Sequence, residues 1–404
     1  MRRSSSSTPS FLVLCDEWLP RHGGISSFHR SLAIALVTAG YRIASLVLTA
    51  SPAEHADAEH HGVRLITAVD TPGGPNWYVC PDKVREFAPD VVIGHDRVSG
   101  NAAWCYAKVQ FPGARLVHIV HTAPAEIEPH KGNNETTRII EQREDFTRRL
   151  AADADVVAAV GPRLTRTTQS VIDDGYGTVQ VVRLDPGLTV PAAAEGRRRR
   201  VPATSSVLML GRTNEIRLKG QDIAAKAVAV LAASSDIPTL CLRVRGAPAD
   251  ECDRLRAHLA GLAGAPADLI SVLPFVPDRD RLDIELNQAA LCVMPSTVEG
   301  FGLVAQEAIA AGTPVLVSSR SGIAELLAEQ LGWSAEPLIV PVTGDVDRDA
   351  AAWADAMRRT LTDLSGAFDH AHHIRELLAP RLRWNAVVDR LAGTNRPGSA
   401  VHLG

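Results

Sequence analysis

The strongest constraint in this chain is a rhythm. Short runs of Val, Ile and Leu alternate with segments whose apolar residues recur at helical spacing, and the alternation happens twice. In the first half the runs are Phe11–Cys15, Ile43–Leu48, Val91–Gly94, Leu116–Val120, Val156–Val160 and Val179–Val182. Between the first two, Ile25, Phe28, Leu32 and Leu36 fall on one helical face. Strands that are apolar on both faces and separated by helices imply a parallel sheet covered on both sides. The pattern lapses after Pro191 into Ala, Gly and the run Arg197 to Arg200, then restarts with Val207–Leu210, Leu240–Val244, Ile270–Leu273, Leu291–Met294 and Val315–Ser318. The expected fold class is therefore α/β, with two doubly wound Rossmann-like domains facing a cleft. The expected boundaries are a tail at 1–10, a first domain at 11–190, a linker at 191–203 and a second domain at 204–380. The closing segment, 381–404, carries a helix that could pack back on the first domain. The expected last helices are Ala350–Leu364, Ala367–Ala379 and Arg383–Leu391.

A length of 404 residues suits two such domains rather than one core. A formal net charge of −4 gives no general basic field and argues against non-specific nucleic-acid binding. The apolar run after Met1-Arg2-Arg3 stops at Asp16 and Glu17, too short for a signal peptide, and no run is long enough to span a bilayer. Six cysteines stand without metal-ligand spacing, so buried thiols and a cytoplasmic setting are expected. The four arginines read as a solvated linker; a peripheral membrane patch is the alternative and is not favoured.

Ligands of open α/β sheets sit beyond the carboxyl ends of strands, which directs attention to two stretches of the second half. Glu299-Gly300-Phe301-Gly302-Leu303-Val304 follows the run Leu291–Met294 and opens a helix carrying Glu307. Glycines there let backbone approach a ligand, and the free N–H groups of a helix start favour anionic or hydroxyl oxygens. Glu299 can accept from vicinal hydroxyls. Gly211-Arg212 through Lys219-Gly220 follows Val207–Leu210, and its cations suit a diphosphate, with Arg217 as a third. In the first half, Gly23-Gly24 follows the first strand. His121 ends another, Asp16, Glu17 and Asp96 lie at strand ends, and Glu126 sits in the polar stretch Ala123 to Glu135 with Glu128, His130, Lys131 and Asn133. His118 reads as core.

Together, Glu299 and Glu307 around Gly-Phe-Gly, Arg212 with Lys219-Gly220, Ala311-Gly312-Thr313-Pro314-Val315 and Ser321-Gly322-Ile323-Ala324-Glu325 resemble glycosyltransferase family 4 of the GT-B fold. The likeness is strong over about 205–330 and continuous but weaker from Phe11. It implies a hexosyltransferase-like, retaining enzyme that moves a sugar from a nucleoside diphosphate to an acceptor hydroxyl. It also implies roles: Glu299 and His121 at the donor sugar, Glu307 at the ribose, Arg212 and Lys219 at the diphosphate. Main-chain atoms of Phe301 to Val304 would meet sugar and phosphate oxygens, those near Phe275 and Val276 the base, and Gly23-Gly24 the donor phosphate and acceptor. Of these, His121, Glu299, Arg212 and Lys219 are the catalytic candidates; Asp16, Glu17, Asp96 and Glu126 are the acceptor candidates.

UDP, GDP and ADP all remain open as the donor nucleotide, with no essential cofactor or metal. The triplets Asp153-Ala154-Asp155, Asp278-Arg279-Asp280 and Asp345-Val346-Asp347 imitate the metal signature of a different fold and are read as structural. The acceptor is expected to be a soluble small molecule or natural product. Alternatives are a pseudo-glycosyltransferase coupling an activated cyclitol and a nucleotide-sugar sensor without catalysis. The sequence departs from the family pattern in carrying Thr122 where many relatives have an acid, Asp185-Pro186-Gly187 where many have an Asn-Gly turn, and a longer Arg212 to Lys219 interval.

Overall fold

The structure, a computed structural model, describes residues 8–20, 23–132, 134–175, 179–191, 195–234, 237–276 and 279–393. Residues 1–7 of the expected tail, 192–194 of the expected linker, Asn133, Asp278 and residues 394–404 lie outside the described residues.

In chain order the strands are β1 Ser10–Leu14, β2 Arg42–Val47, β3 Arg64–Thr67, β4 Val69–Thr71, β5 Gly74–Asn76, β6 Val91–His95, β7 Arg115–Val120, β8 Val156–Val160 and β9 Val182–Leu184, followed by β10 Ser206–Leu210, β11 Cys241–Ala247, β12 Ile270–Pro274, β13 Leu291–Met294, β14 Val315–Ser318 and β15 Ile339–Val340. They form a seven-stranded sheet of order β3-β2-β1-β6-β7-β8-β9 and a six-stranded sheet of order β12-β11-β10-β13-β14-β15. The strand pairs of both sheets are parallel. β4 and β5 make a separate antiparallel hairpin. Strands β1, β6, β8, β13 and β14 are buried at every position, as sheets covered by helices on both faces require.

The expected α/β class is found, and the apolar runs became strands within one residue at each end, with two exceptions. The run Val179–Val182 shortens to a strand starting at Val182. The run Leu240–Val244 continues as a strand to Ala247. The edge strands β3 and β15 went unread because they are short, each with only two apolar residues in a row. The final helices, Val346–Thr362, Leu364–Leu378 and Trp384–Gly393, start or end up to four residues from the expected bounds, because Asp345 and Asp363 cap the first two with their carboxylates.

In each sheet the chain reverses direction of travel at the central pair, β1/β6 and β10/β13, and such switch points open crevices at the carboxyl ends of the strands. The two sheets share one continuous apolar cluster, running from Val13 and Val117 through Leu164 to Phe301 and Ile323. Helix Gly161–Asp173 packs on helix Gly322–Leu331. The last helix returns to the first half: it packs on Gly24–Thr38, with the Trp384 ring centroid 5.4 Å from that of Phe28 and its Nε1 donating to Thr189 Oγ1 at 3.2 Å. Among the described residues no helix is long and apolar enough to cross a membrane.

The arginine run departs from its solvated reading at one position. Arg199 is half buried, lies over the Phe368 ring at 5.0 Å, and donates to Thr313 Oγ1 at 2.6 Å and to the carbonyls of Asn287 and Ala289. Burial lowers its pKa to about 10. Arg198 binds Ser365 and Asp369, whereas Arg200 is exposed. Arg199→Ala should therefore cost about 1–3 kcal/mol of stability through unmade hydrogen bonds, and Arg200→Ala no more than about 0.5 kcal/mol. Urea unfolding midpoints of the two variants check this, and equal effects would contradict it.

Candidate active site

On the second-half side, Gly211 follows β10 and Pro295-Ser296 follows β13, on either side of the switch point. The single-turn helix Ile216–Lys219 is pinned to the loop after β13: Thr297 N donates to Leu218 O at 2.9 Å and Thr297 Oγ1 to Arg217 O at 2.6 Å. That docking brings Lys219 Nζ to 2.7 Å from Glu299 Oε2, with both side chains about one-fifth exposed. Gly220 permits the approach, since at φ +70° a Cβ there would stand 2.0 Å from the Pro295 carbonyl oxygen. Glu299 is held through its backbone, its N–H donating to Arg320 O at 3.0 Å while its carbonyl accepts from Gly322 N at 3.1 Å.

Gly302 starts helix Leu303–Ala311 at φ +111°, and among the described residues no side chain caps this N-terminus. The helix start follows Glu299 and Gly300 closely in the chain. Arg212 is half exposed and pairs with Glu215 at 3.4 Å, which also takes Lys131 of the first half at 3.5 Å. Phe275 is exposed beyond β12, with Val276 next to it. Glu307 lines a narrow crevice with Ser27, Ser31, Thr189 and Trp384.

The first half meets this edge through backbone. A Cβ on Gly300 would lie 3.0 Å from His121 O, and one on Gly24 would lie 3.1 Å from Leu303 Cδ1. Gly161, at φ +78°, leaves the space that the Phe301 ring fills. At the cleft between the two halves, His121 thus meets Gly300 and Gly24 meets Leu303, with Glu299, paired to Lys219, next to Gly300 and Gly23 next to Gly24 in the chain.

The remaining first-half candidates are more engaged than the sequence implies. Glu17 is buried and accepts from Ser26 Oγ at 2.8 Å. Asp16 accepts from the Cys15 thiol at 3.3 Å. Glu126 pairs with Arg163 at 2.8 Å, and Arg163 continues to Glu325 of the second half at 3.1 Å. Asp96 is buried at φ +43°, a left-handed conformation costly for a residue other than glycine. It accepts from Thr122 Oγ1 at 2.6 Å, His121 N at 3.4 Å and Arg97 N at 2.9 Å. A carboxylate from the end of the neighbouring strand β6 thus stands against His121 and Thr122.

Two of the three Asp-x-Asp triplets are engaged by other groups, and the side chains of the third, 278–280, lie outside the described residues. Asp153 accepts from Trp104, Asp155 from Leu116 N and Lys108, and Asp345 caps a helix. Sequence reasoning missed Glu215, Arg163 and two histidines behind His121, because nothing in their local sequence ties them to the cleft. His118 is buried, as read. Burial lowers the pKa of His29 to about 3 and those of His118 and His121 to about 4, and puts His95 well below its usual value. All four are neutral at pH 7.

The model of the family 4 glycosyltransferases found in conflict systems matches residues 12–391. The chain belongs to this family. This glycosyltransferase is 30% identical over 324 residues to D-inositol 3-phosphate glycosyltransferase of Stackebrandtia nassauensis, covering 75% of this chain and 67% of that one. Its fold matches sucrose-phosphate synthase of Thermosynechococcus elongatus with a TM-score of 0.69 at 22% identity, over 95% of this chain and 98% of the other. It also matches Anabaena HepE in complex with UDP-glucose with a TM-score of 0.66 at 18% identity, over 96% and 99%. The GT-B fold of this glycosyltransferase agrees with the two parallel sheets described above.

Two consequences are measurable. Gly220→Ala must strain both φ and the Pro295 contact, whereas Gly196→Ala, also at positive φ but with nothing within 4 Å, strains φ alone. The first should be less stable than the second by about 1–3 kcal/mol in urea unfolding. The neutral histidines give the second. Their folded pKa values lie below the unfolded value of about 6.5, so the unfolded state takes up protons first and stability falls as pH drops from about 6.5 towards 4. Each contributes a slope of at most about 1.4 kcal/mol per pH unit. Unfolding midpoints measured across that range should fall, and His118→Leu should flatten the fall.

Proposed function

We propose that this enzyme transfers a sugar from a nucleoside-diphosphate sugar to the hydroxyl of a soluble small acceptor, with retention at the anomeric carbon, in the cytoplasm. The observation that carries this reading is the Lys219–Glu299 pair at the second switch point, set beside an uncapped helix start. A cation and a carboxylate held together at a phosphate-friendly helix end suit a ligand that is anionic at one part and hydroxylated at the next. In this reading residues 11–190 form the acceptor domain and 204–380 the donor domain, joined by the linker 191–203, with 381–404 returning to the first.

Lys219 and Arg212 take the diphosphate, and the main-chain N–H groups of Phe301 to Val304 take sugar and phosphate oxygens. Glu299 accepts from sugar hydroxyls, Glu307 from the ribose, and the backbone at Phe275 and Val276 meets the base. His121 meets the donor sugar from the other side, with Gly23-Gly24 at the phosphate. Asp16, Glu17, Asp96 and Glu126 remain the acceptor-side carboxylates.

In the reaction, the bond from the anomeric carbon to the leaving phosphate oxygen breaks and one to the acceptor oxygen forms on the same face. The acceptor proton passes to the departing phosphate. Lys219 and Arg212 offset the charge that gathers on that phosphate, an electrostatic contribution typically worth about 10²–10³ in rate per preorganised group. HepE's complex with UDP-glucose makes UDP-glucose the first donor to try, and the inositol phosphate relative makes a phosphorylated polyol the first acceptor.

The test is diphosphate release from UDP-, GDP- and ADP-sugars with candidate polyols and with cell extract. One donor should be consumed with acceptor present, and Lys219→Ala should slow its turnover by about 10²–10³-fold. Full activity in Lys219→Ala would remove the diphosphate assignment.

A further inference from the structure

Behind His121 runs an unbroken chain of buried polar groups that the reading above does not use. His121 Nε2 lies 3.0 Å from His95 Nδ1, His95 Nε2 lies 3.2 Å from His29 Nδ1, and His29 Nε2 lies 2.8 Å from Ser45 Oγ. The four residues come from four elements: the end of β7, the end of β6, helix Gly24–Thr38 and strand β2. Ser45, His29 and His95 are completely buried, and only His121 reaches the cleft.

Two imidazole nitrogens form a hydrogen bond only when one proton lies between them, and a neutral imidazole carries a single N–H. The rings are kept neutral by burial. Their tautomers are therefore linked, and two uniform arrangements exist. All three rings carry the proton on Nε2, pointing inward to Ser45, or all three carry it on Nδ1, pointing outward. Ser45 decides between them. Among the described residues His29 Nε2 is the hydrogen-bond partner of its hydroxyl, so the inward arrangement makes the hydroxyl an acceptor and strands its proton in the core. The outward arrangement lets Ser45 donate to a bare His29 Nε2, and every proton in the chain is used.

We infer that Ser45, His29 and His95 are positioning residues, a proton-ordering relay that fixes His121 as the neutral Nδ1–H tautomer and so makes it a hydrogen-bond donor towards an oxygen of the sugar in the cleft. The last step rests on the donor reading given above. The relay makes the cleft histidine a donor without making it a cation, which leaves charge compensation to Lys219 and Arg212. Asp96 holds the His121 backbone at the same time, so ring and main chain are oriented by separate partners.

Long-range ¹H–¹⁵N correlation spectra of the full chain labelled with ¹⁵N-histidine test this directly, with His121 assigned from the signals lost in His121→Gln. At pH 7.5 the wild-type ring should show Nδ1 protonated and Nε2 bare. Ser45→Ala and His95→Phe should each turn this into a tautomer mixture, and Ser45→Thr should restore the single form. Turnover at saturating donor should drop in Ser45→Ala and recover in Ser45→Thr with KM for the donor unchanged. A proton on Nε2 in the wild type, or a spectrum unchanged in both Ser45→Ala and His95→Phe, overturns the relay. The wild-type spectrum keeps the relay falsifiable even where a variant fails to fold. The spectra are read without substrate, so a protein that turned over no nucleotide sugar would sink the donor step alone and leave the tautomer result standing.

Discussion

Phe301 lies where a side chain at position 161 would have to be. That interlock between the loop after β13 and the first turn of helix Gly161–Asp173 fixes the geometry of the cleft. Burying a ring of this size contributes about 1.5–3 kcal/mol, and it does so across the boundary between the two sheets. Its neighbours inherit their places from it. Gly300, one residue earlier, is pressed towards the His121 carbonyl, and a Cβ on Gly322 would stand 2.2 Å from Gly300 O. Small residues at 161, 300 and 322 let three backbones meet where larger residues would hold them apart. Glu299, paired with Lys219, thereby lies one residue from the contact with His121.

The two walls of the cleft carry different electrostatics for physical reasons. The second-half wall presents Lys219, Arg212 and a helix N-terminus, all at least partly solvated, so their charges persist at low cost. The first-half wall is backed by buried histidines and a buried Asp96. A buried imidazole avoids the cost of charge by remaining neutral, and its polarity is then spent on directed hydrogen bonds. In the proposed reading, one side holds an anion and the other orients hydroxyls. The contacts Arg163–Glu325 and Lys131–Glu215 join the walls at their rims.

Particular residues show what could be read in advance. Strands such as β8 and β13 were legible because burial on both faces makes the sequence itself uniformly apolar. β3 and β15 were not, since an edge strand needs no such uniformity. Gly220 and Gly302 could be picked out because they sit beside charged or acidic residues at strand ends, and the structure supplies their reason in the Pro295 and Met294 contacts. Arg199 was misread, because four arginines in a row look alike until one of them finds Phe368 and three oxygens. Glu17 and Glu126 looked available for a ligand. They prove engaged with Ser26 and Arg163, partners 9 and 37 residues away.

By itself the sequence determined the α/β class and the repetition of the sheet pattern, and it singled out the charged and glycine-rich stretches of the second-half wall. Those rest on local periodicity and on motifs whose members stand within about twenty residues of one another, from Arg212 to Gly220 and from Glu299 to Glu307. Tertiary structure alone decided the first-half wall. His29 and His95 are separated by 66 residues, and Ser45 stands on another strand again. Hydrogen bonds between such groups leave no periodic trace in the chain, because their geometry exists only after β2, β6 and β7 lie in one sheet with helix Gly24–Thr38 packed against it.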